Sequence, residues 1–315
     1  MRLTTGRNAA DVYRSLIAVT DAVRQQRRRW AFYEHSRDEE QKRAFRVLSA
    51  LPAALTTTGE LNLHYQPRVD LSTGACVGVE ALLCWCHPQM GVISPAEFVP
   101  LVERTALIGR MTRWVLARGL ERAAQWQRLG RTFSIAINVS AVDLDQEDFV
   151  DTLCALLKRS EVDPHRIELE FTESALTKNP ERLTEHLHRI RGLGLQLAID
   201  DFGTGYSNLT YLKRIPATTL KIDQSFIRSV MTDERDRAIV PSMIRLGHDL
   251  GYRVVAEGIE TKEVYDAVAE WSCDEGQGYW IARPMPAEQF EAWQDQRGEV
   301  AASMACRLHD TTVRP

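Results

Sequence analysis

The 315-residue chain has no stretch approaching the ~18 consecutive apolar residues that a membrane span requires, so no span is expected. Met1 to Ile17 contains no apolar core of a secretory leader, and a cytoplasmic location is the expectation. No Cys-x-x-Cys pair occurs. Cys76, Cys84, Cys86, Cys154, Cys273 and Cys306 suit neither a disulfide framework nor a structural zinc site, and reduced thiols are expected. An excess of positive charge is missing as well. Lys and Arg number 39 against 43 Asp and Glu, which argues against a polycationic DNA-binding surface. No Gly-x-Gly-x-x-Gly follows the first strand pattern, which counts against a dinucleotide fold. At 44% hydrophobic and 26% charged, the composition excludes a disordered or fibrous chain.

What charge there is lies unevenly. Residues 1–59 carry 11 Lys/Arg against 6 Asp/Glu, and the remainder is acidic. Asp11 to Val23 has the apolar spacing of a helix, and Arg24 to Arg29 is a short basic run. Arg37 to Leu55 is a second helical pattern, and Thr56 to Gly59 reads as a linker. The organisation expected is a helical segment over 1–59, a main domain over 60–295 and a poorly ordered tail over 296–315. The basic run reads as a solvated helix face, or else as a contact for a membrane or an acidic partner.

From Leu61 onward, strand and helix patterns alternate. Strands are predicted at Leu61–Gln66, Cys76–Trp85, Phe133–Val139, Ile167–Thr172, Leu195–Ile199, Thr219–Ile222, Arg253–Ala256 and near Gly276–Ile281. Helical patterns cover Met111–Leu129, Phe149–Leu157, Glu181–Leu193, Asp236–Leu250 and Lys262–Trp271. Eight strands in this rhythm predict an α/β fold, a TIM-like (β/α)8 barrel. The first two strands are joined by only about ten residues, too few for a helical crossover, so an irregular antiparallel first strand is expected.

Barrel enzymes concentrate their chemistry where the strands end. Here the ends carry Glu80, Asn138, Glu170, the pair Asp200–Asp201, Lys221, Glu257 and Gln277. Each alone has an ordinary structural explanation. Together they are costly, because carboxylates converging on one mouth repel unless cations offset them. Carboxylate and amide oxygens without Cys or His suit Mg2+ or Mn2+. Adjacent Asp200 and Asp201 suit two ions, an arrangement that cleaves phosphodiesters with an activated water. In that chemistry Lys221 holds the water or offsets developing charge, and Glu257 takes its proton. Phe202 to Gly205, with Thr204, forms a turn beside the ions.

Eight short motifs in order resemble the EAL domain, a bacterial cyclic-di-GMP phosphodiesterase family. They are Tyr65-Gln66-Pro67, Glu80-Ala81-Leu82, Ile137-Asn138-Val139-Ser140, Glu170-Phe171-Thr172-Glu173-Ser174, Asp200-Asp201-Phe202-Gly203-Thr204-Gly205, Leu220-Lys221-Ile222-Asp223, Ala256-Glu257-Gly258-Ile259-Glu260 and Gln277-Gly278-Tyr279. The resemblance runs from about Glu60 to Trp293. It implies hydrolysis of cyclic-di-GMP to linear pGpG. By position it implies Glu80, Asn138, Glu170 and Asp200 as ligands of one ion, with Asp200 and Asp201 holding the second. Lys221 and Glu257 then handle the water, Gln66, Gln277 and Leu82 lie near the substrate, and Glu173 and Glu260 support the Asp200–Ser207 loop. A homodimer is also implied.

One departure stands out: where the family reads E-A-L-x-R-W, this chain has Cys84. The resemblance gives that Arg a substrate phosphate, so substrate binding should weaken while metal binding survives. The alternative function is a weakly active or inactive EAL domain that serves as a cyclic-di-GMP receptor or interaction module. Arg28 to Glu34 resembles the tail of a GGDEF domain, but residues 1–59 are too few for a cyclase domain, and no cyclase activity is expected.

Overall fold

The computed structural model describes residues 35–177, 180–205 and 212–297. The helix expected at Asp11–Val23, the basic run and the tail beyond residue 297 lie outside them. Nine strands are described: β1 Leu61–Asp70, β2 Cys76–His87, β3 Gly91–Ile93, β4 Ser134–Asn138, β5 Ile167–Thr172, β6 Gln196–Phe202, β7 Thr219–Ile222, β8 Arg253–Ala256 and β9 Glu275–Gln277. The helices are α1 His35–Ala54, α2 Pro95–Val102, α3 Ile108–Arg128, α4 Ala141–Leu144, α5 Phe149–Ser160, α6 Pro180–Gly192, α7 Gln224–Ser229, α8 Glu234–Asp249, α9 Lys262–Glu270 and α10, residues 287–297.

β2 and β4 to β9 run parallel in sequence around the sheet, and β1 closes it by pairing antiparallel with both β2 and β9. The result is a TIM-like eight-stranded barrel with helices between its strands, and β3 is a short antiparallel extension of β2. The antiparallel first strand follows from the turn at residues 71–75. Asp70 Oδ1 accepts from the backbone N–H of Ser72 and Thr73, and Gly74 takes φ +70, which reverses the chain at once.

Strand alternation divides the barrel into two chemistries. The outward residues Ile135, Ile137, Leu169, Leu197, Ile199, Leu220, Ile222 and Val254 are buried beneath the helices. Gly119 lets α3 approach closely, since a Cβ there would fall 2.5 Å from Ile137 Cδ1. The lumen instead carries polar groups, because cross-strand partners share a face: Gln66 opposite Glu80, Arg68 opposite Gly78 and Gln277, and Asn138 opposite Glu170.

The helix expected over Arg37–Leu55 is α1, and its apolar residues pack on the barrel. Val47, Leu51 and Ala54 are buried with Trp85, Ile93, Phe98 and Met111 in a cluster of their own. Trp85 and Phe98 meet edge to face at 5.2 Å. Leu51 is fully buried there. We therefore expect Leu51→Ala to cost about 2–5 kcal/mol of stability, read from urea denaturation. An unchanged midpoint would mean that α1 is not part of the folded unit.

Candidate functional site

The lumen side chains at the C-terminal end of the barrel come from alternating strands. Glu80, Glu170, Lys221 and Gln277 belong to β2, β5, β7 and β9; Gln66, Asn138 and Asp200 to β1, β4 and β6; Glu257 follows β8 directly. TIM barrels ordinarily fill such layers with branched apolar side chains. In this barrel they hold carboxylates, amides and one lysine.

Lys221 is the hub. It is fully buried, and its Nζ lies 2.7 Å from Glu170 Oε2, 2.7 Å from Glu257 Oε1, 3.2 Å from Asp200 Oδ1 and 3.5 Å from Glu80 Oε2. Burial alone would strip the proton from this ammonium, but the four carboxylates outweigh it and hold Lys221 well above the ordinary lysine range. Amides continue the network. Gln277 Nε2 donates to Glu80 Oε2 at 2.7 Å and to Gln66 Oε1 at 3.0 Å, and Asn138 Nδ2 donates to Glu80 Oε1 at 2.6 Å. Burial pushes the Glu80 carboxyl up, yet Lys221, Gln277 and Asn138 together hold it below its ordinary range.

The other carboxylates are not so well served. Burial, then the neighbouring Glu80, drives Glu170 well above the usual range despite Lys221. Burial lifts Glu257 to about 8, with Lys221 opposing and Asp200 and Glu80 adding to the rise. Burial and Asp200 lift Asp201 to about 6. One lysine does not neutralise this mouth, so its carboxyls bind protons more readily than ordinary ones, and a divalent cation would compete for the same oxygens. Asp200, Asp201 and Glu257 each offer an oxygen within 4.8 Å of the others, and Glu170 Oε1 is buried without a hydrogen-bond partner. Hard oxygen donors with surplus charge fit a divalent cation of the Mg2+ or Mn2+ type.

The surrounding loops have their own restraints. Asp201 sits at φ +55, unusual for a non-glycine residue, and its N–H donates to Asp200 Oδ1. Thr204 Oγ1 donates to the Asp201 carbonyl, and the Gly203 N–H donates to Glu173 Oε2 at 3.0 Å. Glu260 pairs with Arg228 Nη2 at 2.7 Å. Residues 206–211, the far part of the loop expected to rest on Glu173 and Glu260, lie outside the described residues. A cavity of about 210 Å3 opens over the cluster, lined by Gln66, Glu80, Leu82, Asp200, Glu257 and Gln277 together with Arg228, Glu260 and Tyr279. Cys84 is half-buried on the same face of β2, beyond Leu82, and is not among the lining residues. Burial and the neighbouring Cys86 push its thiol up, so it stays neutral.

Sequence reasoning thus named residues that the structure brings together around Lys221. It passed over Arg228, Tyr279 and, below the cluster, Arg68. Arg68 had a signal: it shares strand parity with Gln66, which places a guanidinium in the lumen.

A family model described as the EAL domain matches residues 48–284. This chain belongs to the EAL domain family. A cyclic di-GMP phosphodiesterase from Pseudomonas aeruginosa is 45% identical over 90% of this chain and 48% of its own length. The bifunctional diguanylate cyclase/cyclic di-GMP phosphodiesterase MucR of the same species is 39% identical over 87% of this chain and 40% of its own. The chain spans about half the length of these curated relatives, or less. The solved structure of the PaMucR phosphodiesterase in complex with c-di-GMP superposes with a TM-score of 0.75 at 41% identity, covering 78% of this chain and 99% of that one. Among the described residues, no helix is long and apolar enough to cross a membrane.

The proton inventory of this EAL site sets a pH dependence. Asp201 and Glu257 are raised, so their stabilising protonation is complete below their unfolded values near pH 4 and is lost as pH climbs through about 6 and about 8. Glu80 and Glu168, held low, are ionised throughout that window and add no slope. Glu170 is raised and acts in the same direction, and His64, lowered by burial, offsets part of the decline below its unfolded value near 6.5. Metal-free protein should therefore melt at progressively lower temperature between about pH 5 and pH 8, and saturating Mn2+ should flatten the decline. Differential scanning calorimetry with chelator and with Mn2+ checks this. A metal-free melting point that rises across the window would contradict it.

Proposed function

We propose that this protein hydrolyses cyclic-di-GMP to linear pGpG, using two Mg2+ or Mn2+ ions. The observation that carries the reading is the convergence of Glu80, Glu170, Asp200 and Glu257 on buried Lys221 at the floor of an open cavity. The phosphodiesterase names of its relatives support the same substrate.

Glu80, Asn138, Glu170 and Asp200 are the proposed ligands of one ion, and Asp200 with Asp201 of the other. When bound, the ions polarise the phosphodiester and make water nucleophilic at neutral pH. Glu257 borders the cavity beside Asp200 and Asp201 and pairs with Lys221, the position from which its carboxylate would receive a proton from the attacking water. Lys221 stays charged and steadies Glu257 and the ligands as that proton moves. Gln277 and Gln66 fix the orientation of Glu80, and Leu82 gives the cavity an apolar wall. Glu173 and Thr204 brace the turn that carries Asp201.

Arg228 is the cationic side chain among the described residues lining the cavity, at its rim against Glu260. It meets the substrate's second phosphate in this reading and covers part of what Cys84 does not supply. A homodimer, a cytoplasmic setting and a protein partner for residues 1–59 complete the proposal.

Incubation with cyclic-di-GMP and Mn2+ should yield pGpG, and Glu257→Gln should slow turnover by about 100-fold or more while leaving the fold intact. Binding of the nucleotide without turnover under Mg2+ or Mn2+ would replace this reading with that of a receptor. Cys84→Arg should lower KM by roughly tenfold, the worth of about 1.5 kcal/mol for one charged hydrogen bond. An unchanged KM would remove Cys84 from the account of substrate affinity.

A further inference from the structure

We propose that Arg68 is a positioning residue for the metal site, acting through Glu170. The inference rests on the metal-dependent reading of the site and goes beyond its ligands to what holds one of them.

Arg68 lies in the lumen beneath the cluster and is almost wholly buried. Its Nη1 lies 2.5 Å from Glu168 Oε1 and its Nε 2.6 Å from Glu275 Oε2. Both carboxylates are buried and held from their far sides, Glu168 by the Thr219 hydroxyl at 2.7 Å and Glu275 by Arg253 at 2.8 Å. Nη1 is hydrogen-bonded to Glu168 on β5, while Nε is paired with Glu275 on β9 by charge, without a hydrogen bond, so the guanidinium is held between two strands. Upward, Nη1 lies 3.9 Å from Glu170 Oε1, the oxygen that has no hydrogen-bond partner among the described residues. Glu170 is held on its other oxygen by Lys221. Its carboxylate is therefore suspended between two fixed cations, one bonded to it and one facing it at a distance that leaves Oε1 free.

The barrel makes room for this guanidinium. Opposite Arg68 on β2 stands Gly78, where a Cβ would fall 2.8 Å from Ser134 Oγ and 3.2 and 3.3 Å from two guanidinium nitrogens. On the sides away from Gln66 and Asn138, Glu80 and Glu170 are paired with Ala136 and Ala198, both buried. Small residues here and a charged group among them are the reverse of the bulky apolar filling that a purely structural lumen takes. Groups that orient a ligand from behind typically govern metal affinity more than stability.

The test is the charge-balanced double variant Arg68→Met/Glu168→Gln. It removes one positive and one negative group, leaves Glu275 paired with Arg253, and lets the new amide still accept from Thr219. Mn2+ affinity of the full chain is measured by titration calorimetry. The wild type comes first: if it takes up no Mn2+, the metal-dependent reading fails. Given wild-type uptake, the double variant should bind Mn2+ about tenfold more weakly while its metal-free melting temperature changes little. Its kcat for cyclic-di-GMP should fall with KM unchanged. Wild-type Mn2+ affinity in a folded double variant overturns the role of Arg68 alone. Should that variant fail to fold, Arg68→Lys decides. It keeps the charge and loses the fork, so affinity should drop about threefold or more, and an unchanged value overturns the proposal.

Discussion

A single buried ammonium in contact with four carboxylates is the constraint around which this barrel is organised. An unpaired lysine at the centre of a (β/α)8 lumen would be untenable, and so would four unpaired carboxylates. Each makes the other possible, and the count does not balance. Burial first, and the negative surplus after it, make Glu170, Asp201 and Glu257 hold protons more tightly than ordinary carboxylates do. Stability has been set aside for chemistry here. The same lumen filled with Val and Leu would be easier to fold and would have nothing with which to hold a cation.

The rest of the site can be understood as restraint on that cluster. Gln277 on β9 ties Glu80 on β2 to Gln66 on β1, spanning the antiparallel strand and both of its barrel neighbours. Below, Arg68 gathers Glu168 and Glu275 from opposite sides of the lumen. Above, Glu173 grips the backbone of Gly203, so the turn holding Asp201 in its left-handed conformation is tied to the end of β5. Strain at Asp201 is tolerated because these neighbours over-determine its position, and it sets adjacent carboxylates side by side where an extended strand would send them to opposite faces.

Much of this was legible in the order of residues, for reasons specific to each part. The barrel could be read because its parallel strands are short apolar runs, such as Leu197 to Ile199 and Val254 to Ala256, each ending on a polar residue. The antiparallel start could be read from the shortness of the connection after Asp70. Other elements gave weak signals. β3 has three residues and α2 begins on Pro95 and contains Pro100, so neither carries a clear period. The attachment of α1 was hidden for another reason. Val47, Leu51 and Ala54 form a helical stripe, but nothing local says that the stripe meets Trp85 and Phe98 from elsewhere in the chain. Arg68 was missed because the first strand was predicted to end at Gln66, whereas β1 runs on to Asp70. Only the pairing of Gln66 with Glu80 fixes the parity that turns it inward.

Position 84 shows how the floor and the rim of such a site can vary separately. Glu80, Leu82 and Cys84 share one face of β2, so each step of two residues climbs from the ion cluster to the cavity wall and then out of it. A change at the third step touches no carboxylate and leaves the charge around Lys221 as it was. The cost falls on whatever approaches from above. At that level Arg228 already lies at the rim, fixed by Glu260 on the segment that also carries Glu257. With Cys84 outside the cavity lining and Arg228 within it, the positive charge at the rim lies on the α7 side, apart from the carboxylates around Lys221.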